Sequence, residues 1–186
     1  VFIYGVGGRL LFWGGDQWYY REPNTIHDLF CMWGTDINNI HAVGGEGTYR
    51  FYDGKEFQRR DELTSEEVSL YGVWGFANDD VYIVGSHGTI LHFDGNEEGE
   101  WKPMESGTDE YLLSVWGSSS NDIFAVGDNA TILHYNGKSW SAMESKTDKY
   151  LTKIRGLRSD CIYAVGDDGL VIRFDGKKWN DMSLGE

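Results

Sequence analysis

Leu112-Leu113-Ser114-Val115-Trp116-Gly117, then Asp122-Ile123-Phe124-Ala125-Val126-Gly127, then Thr131-Ile132-Leu133-His134-Tyr135-Asn136-Gly137, then Trp140: this stretch decides the fold. Each run is short, rich in β-branched and aromatic residues, and closed by Gly or by an Asn-Asp pair, the texture of strands joined by tight turns. No run shows the 3.6-residue period of a helix. The same pattern is written five times, with a Val-Gly step at Gly7, Gly44, Gly85, Gly127 and Gly166. A strand-like unit repeating every ~40 residues implies a radial or solenoid array.

Within each repeat four strands, a to d, can be read. Strand a covers 29–34, 70–75, 112–117 and 151–156. Strand b ends in the Val-Gly step. Strand c covers 48–52, 89–93, 131–135 and 170–174, and strand d starts near Phe57, Trp101, Trp140 and Trp179. Four antiparallel strands per unit, repeated, make a propeller blade. The expected fold is therefore all-β: a single β-propeller domain over 1–186, of about five four-stranded blades, or a segment of a larger propeller. The expected boundaries are a partial blade over 1–28 and blades over 29–68, 69–111, 112–150 and 151–186. In the first repeat Val1–Gly7 reads as strand b, Arg9–Trp13 as c and Trp18–Arg21 as d, with no inner strand ahead of them. An unpaired inner edge exposes backbone groups that propellers satisfy, which favours a segment of a longer array.

The 186 residues carry a formal net charge of −14, which disfavours a phosphate-backbone partner. The excess acidity lies ahead of Lys138; from Lys138 onward nine basic residues face eight acidic ones. No apolar run reaches the ~18–20 residues of a membrane-crossing helix. There is no basic start followed by an apolar stretch, although a sequence opening at Val1 could lack a leader or an upstream region. Cys31 and Cys161 occupy different repeats and different strands, too far apart in a ring for a disulfide, and no Cys/His spacing resembles a zinc site.

Between strands c and d each repeat sets an aromatic, a small residue, Gly, a gap and an aromatic: Trp13-Gly14-Gly15…Trp18, Tyr52-Asp53-Gly54…Phe57, Phe93-Asp94-Gly95…Trp101, Tyr135-Asn136-Gly137…Trp140 and Phe174-Asp175-Gly176…Trp179. This resembles a degenerate Asp-box, the hairpin of sialidase-type propellers. The whole repeat also resembles bacterial propellers related to photosystem II assembly factors. The resemblance implies the fold and transfers no catalytic residue. The third copy inserts Asn96–Glu100, and the Ser or Thr of the fuller Asp-box is missing. Arg9, Arg50, Arg155 and Arg173 sit at repeat positions and do not form the arginine triad of a sialidase.

Trp33, Trp74 and Trp116 share one column of strand a, with Arg155 as the fourth copy. Their indoles either stack on sugar faces or fill the space between blades. His92 and His134 share a column with Arg50 and Arg173 on strand c and are expected to bond carboxylates between blades. His87, on a b–c turn, is the histidine best placed for surface contact. Acidic residues gather in the b–c turns and d–a connections, among them Glu46, Asp61, Glu62, Glu66, Glu67, Glu105, Asp109, Glu110, Asp128, Asp167 and Asp168. Such oxygens could hold Ca²⁺, but no loop has the dense alternation of a calcium motif, so no cofactor is expected. The function expected is a non-catalytic module that binds a protein or carbohydrate ligand through its acidic loop face. Trp33, Trp74, Trp116, Arg155 and His87 are its candidate contacts, and an extracellular or periplasmic setting is expected. The alternatives are an Asp-box-type glycan hydrolase and an assembly scaffold for a membrane complex.

Overall fold

In the computed structural model, which describes residues 1–60, 63–65, 67–95 and 100–183, every repeat forms its own antiparallel meander. Blade one has three strands, β1 (Phe2–Tyr4), β2 (Leu10–Trp13) and β3 (Trp18–Tyr20). Blade two is β4 (Leu29–Asp36), β5 (Asn39–Gly44), β6 (Tyr49–Tyr52) and β7 (Phe57–Arg59). Blade three is β8 (Leu70–Ala77), β9 (Asp80–Gly85), β10 (Ile90–Phe93) and β11 (Lys102–Pro103). Blade four is β12 (Leu112–Ser119), β13 (Asp122–Gly127), β14 (Ile132–Tyr135) and β15 (Trp140–Ala142). Blade five is β16 (Leu151–Arg158), β17 (Cys161–Gly166), β18 (Val171–Phe174) and β19 (Trp179–Asp181). The inner strand expected to be absent from the first blade is absent among the described residues.

The b–c turns explain the glycine pattern. Two successive residues take positive φ in each: Glu46 and Gly47, His87 and Gly88, Asn129 and Ala130, and Asp168 and Gly169. Such a pair is the turn whose twist suits the flanking strands, and Gly adopts it without steric cost. Blade four departs from the rule with two non-glycine residues, Asn129 (φ 48°) and Ala130 (φ 57°). In blade one the pair is Gly7 and Gly8. This corrects the expected alignment of the first repeat. Gly5, not Gly7, stands where the Val-Gly glycine stands elsewhere, because Gly5 N–H donates to Arg9 O (3.1 Å) as Gly44 does to Thr48 O and Gly127 to Thr131 O. The Val6-Gly7 dipeptide mimics the motif, but it lies in a short 3-10 turn.

The inner strands are two residues longer than their sequence pattern suggests, so the tryptophan column falls in mid-strand. Each carries a bulge at its second residue. Leu29 pairs with Gly44 and Cys31 with Val43, leaving Phe30 out of register; Tyr71, Leu113 and Thr152 stand in the same position. On the outer side, the c–d turns are tied by their Asp or Asn. Asp53 Oδ1 accepts the N–H groups of Lys55 and Glu56 (2.9 and 3.1 Å), and Asp175 Oδ1 accepts those of Lys177 and Lys178 (both 3.0 Å). These bonds hold both carboxyls below their usual range. Most of the insertion expected before Trp101 lies outside the described residues.

Blades pack face to face in chain order, β4 on β8, β8 on β12 and β12 on β16. Each interface is a separate apolar cluster. The forward side of one blade (Tyr82, Val84, Ile90) meets the rear side of the next (Val115, Ile123, Ala125, Leu133). Tryptophan rings pack directly against glycines of the next blade: a Cβ on Gly156 would lie 2.5 Å from the Trp116 ring, and one on Gly75 would lie 2.6 Å from Trp33.

Candidate binding face

Because strand a begins where strand b ends, the b–c turns and d–a connections emerge on the same side of the blades. The bulges at the second residue of each inner strand lie on that side too. A bulge re-aims a side chain, and here it turns rings toward the loop face. Phe30 and Tyr71 stack with centroids 5.5 Å apart, Tyr71 lies 6.1 Å from Tyr111, and Tyr111 meets the edge of His87 at 5.4 Å. Phe30, Tyr111 and His87 are exposed and Tyr71 is half-buried. One arc of rings thus crosses three blades. Tyr150, also exposed, continues the position of Tyr111 in blade five.

Carboxylates border this arc. Glu110 accepts from Asn129 Nδ2 (2.8 Å), and its backbone carbonyl accepts Gly88 N–H (2.9 Å). Burial pushes the Asp128 carboxyl above its ordinary range, and the neighbouring charges of Glu110 and Asp167 push it further. Three blades therefore contribute to one negative field. Lys149 offsets part of it through Asp168 (3.4 Å), and His27 lies 3.4 Å from Glu46. Asp61, Glu62 and Glu66 of the expected acidic set lie outside the described residues. Among the described residues no group of three His, Cys, Asp or Glu side chains is placed to hold a metal ion.

A groove of about 650 Å³ opens beside the arc, between the blade-two connection and the outer strands of blade three. Leu63, Val68, Ile90 and Met104 form its apolar walls, with Thr108 and His87 among its other lining residues. His87 therefore belongs to both features, and it is the expected site residue that the structure sets at the loop face.

The other expected contacts lie deeper. Trp74 and Trp116 approach to 6.2 Å, and the Arg155 guanidinium sits over the Trp74 ring at 5.2 Å while donating to Val115 O (3.3 Å) and Ile154 O (3.0 Å). Trp116 is only 5% exposed. Trp33 stands apart from this trio, 5.9 Å from His41. The strand-c histidines do bond carboxylates, but within their own blades: His92 Nε2 donates to Asp80 (2.9 Å) and His134 Nε2 to Asp122 (2.8 Å). The link between blades is made by Ser120, whose hydroxyl bonds the second oxygen of Asp80. Arg50 is buried, donating to Asn24 O and Tyr49 O, and is not directed into a shared site with Arg155. The two cysteines are free, and among the described residues no helix is long and apolar enough to cross a membrane.

Solved structures with this arrangement exist. YCF48 bound to a D1 peptide is similar over 86% of this chain and 54% of its own, with 17% identity and a TM-score of 0.67. YCF48 from Cyanidioschyzon merolae is similar over 97% of this chain and 68% of its own (13% identity, TM-score 0.69). The WD40 propeller domain of Doa1 is similar over 89% and 56% (13% identity, TM-score 0.72). The fold is a β-propeller. The propeller thus resembles photosystem II assembly factors in architecture, and it spans little more than half of the first YCF48 chain. No protein family and no curated protein matches it by sequence.

Proposed function

We propose that this propeller is a non-catalytic docking module for an extended, basic segment of another protein. One observation carries the reading: the rings of Phe30, Tyr71, Tyr111 and His87 run along the loop face to a groove with mixed polar and apolar walls, and carboxylates from three blades border them. Rings and groove would take the segment's apolar side chains, where desolvation supplies most of the affinity. The carboxylates would steer its lysines and arginines and set its direction. Peptide capture by such a fold has a parallel in YCF48, which is seen with a D1 peptide. The proposal concerns the loop face only, because the chain is shorter than the propellers it resembles.

The test is a fluorescence-anisotropy titration with short labelled peptides that differ in charge at fixed apolar content. Basic peptides are expected to bind and acidic ones to fail, with affinity falling as salt rises. Tyr71→Ala and Tyr111→Ala are each expected to weaken binding by about tenfold or more, roughly 1.4 kcal/mol, with the melting temperature held. Equal binding of acidic and basic peptides removes the electrostatic part. Glycan-array binding without peptide binding replaces the reading with the carbohydrate one.

A further inference from the structure

The blades at the two ends expose faces that every other blade buries. On the rear side, Ile40, Val81, Ile123 and Ile162 occupy one column and Ala42, Ile83, Ala125 and Ala164 the next, all between 0% and 7% exposed. Blade one sets Val1 and Ile3 there, 75% and 49% exposed, and extends the patch with Leu11 and Trp18. On the forward side, Tyr82 with Val84 and Phe124 with Val126 are 0–2% exposed, whereas their counterparts in blade five, Tyr163 and Val165, are 41% and 40% exposed. Side chains that suit burial are thus kept at both ends of the interblade stack and left in solvent, a pattern that marks interaction surfaces.

We infer that these two faces are covered by further four-stranded blades of the same repeat, so that residues 1–186 form one arc of a larger ring. The occupant has defined features. Against Tyr163 and Val165 it presents a rear face like that of Ile123 and Ala125, and against Ile3 and Leu11 a forward face like that of Phe124 and Val126. Lys153 stands exposed where Cys31 and Ser114 are buried, so the blade that covers it carries a carboxylate opposite. It also supplies an inner strand for the free edge of β1.

A second copy of this chain fits less well. Every inner strand from β4 to β12 packs on the inner strand of the next blade, and blade one has none to set against β16. Space argues the same way. This chain accounts for 54% to 68% of the propellers it matches, so roughly two to three blades complete a ring of the usual ~4–8, or slightly more. Five more would overfill it.

The test extends the full chain with a further copy of its residues 65–150, which adds two blades. Ile3→Glu and Tyr163→Glu are then made separately in the original and in the extended chain. The extended chain is expected to be monomeric by analytical ultracentrifugation and to melt higher. In it Tyr163→Glu lowers the melting temperature by about 5 °C or more, against about a degree in the original chain. Equal effects in both backgrounds overturn the inference. So does an original chain that dimerises reversibly and is made monomeric by either substitution, which would make a second copy the occupant. If the two-blade extension is insoluble, residues 112–150 are appended instead and Tyr163→Glu is read alone. The same inequality is expected, and equality overturns the inference.

Discussion

His41 shows how one buried residue couples this fold to pH. Its ring lies between Trp33 and Tyr49, with Nε2 donating to Asn39 Oδ1 (3.2 Å) and Nδ1 left to accept the Tyr49 hydroxyl (2.9 Å). Burial, with a smaller contribution from Arg60, lowers its pKa from 6.5 to about 4. Between those values the unfolded chain binds a proton that the folded one refuses. Stability is therefore fully present above pH 6.5 and declines as pH falls toward 4. The same column holds Tyr82, Phe124 and Tyr163, so a phenyl ring fits. His41→Phe is expected to flatten the acid side of the melting-temperature profile in that window while leaving it nearly level at pH 8. An unchanged acid slope would assign the loss to carboxylates instead. Ala130 offers a gain at the same scale. It holds φ 57° where the four other b–c turns use Gly, and an L-residue there costs about 1 kcal/mol. Ala130→Gly should raise the stability measured by urea titration by about that amount, less the added freedom of Gly when unfolded.

Among elements, the inner strand joins sequence pattern to architecture, and it was only partly legible. Leu112–Gly117 announces a strand because it is a short run of mostly apolar and aromatic residues that Gly closes. The pattern stops at Gly117, yet β12 continues to Ser119, since polar residues at a solvent-facing end add no apolar signal. The bulge at Phe30 and Tyr71 was invisible for a related reason. A one-residue register shift depends on pairing with β5 and β9 and leaves no mark in strand composition. The aromatic arc was missed on that account, although an aromatic beside the leading Leu of strand a (Phe30, Tyr71, Tyr111, Tyr150) was a usable cue. The tryptophan column was plain in the sequence, but its role depends on the glycine across the interface. The Trp116 ring lies where a Gly156 side chain would project, and there the inner strands β12 and β16 meet. Gly156→Ala is thus expected to cost about 1–3 kcal/mol by overpacking, and Trp116→Ala about 3–5 kcal/mol through the cavity it leaves. The double variant should lose less than the sum of the two single losses, because both act on one contact. Strict additivity in chemical denaturation would mean that the ring and the glycine do not share the interface.

Across the described residues, the closest packing between blades is between neighbours in sequence, so stability accumulates along the arc as in other repeat arrays. Among the described residues, blades two to four are packed on both faces, while blade one packs on blade two and blade five on blade four. Among the described residues blade one also has no inner strand, and its β1 contacts β4 across a small apolar cluster built around Leu10 with Phe2 and Tyr4. Opening blade one alone therefore sacrifices less apolar contact than opening any interior blade. Native-state hydrogen exchange should resolve this. Amides of β9 and β13, central in their sheets and buried on both sides, are expected to exchange only through global unfolding, with free energies that track denaturant strongly. Those of β2 should exchange through a local event with weak denaturant dependence. A substitution separates the two levels further. Leu10→Ala should lower protection in blade one and leave β13 nearly unaffected, whereas Ile83→Ala, in the interface between blades two and three, should lower protection throughout the chain. If Leu10→Ala reduced the protection of β13 as much as that of β2, the five sheets would unfold as one unit, and nearest-neighbour packing would not describe this arc.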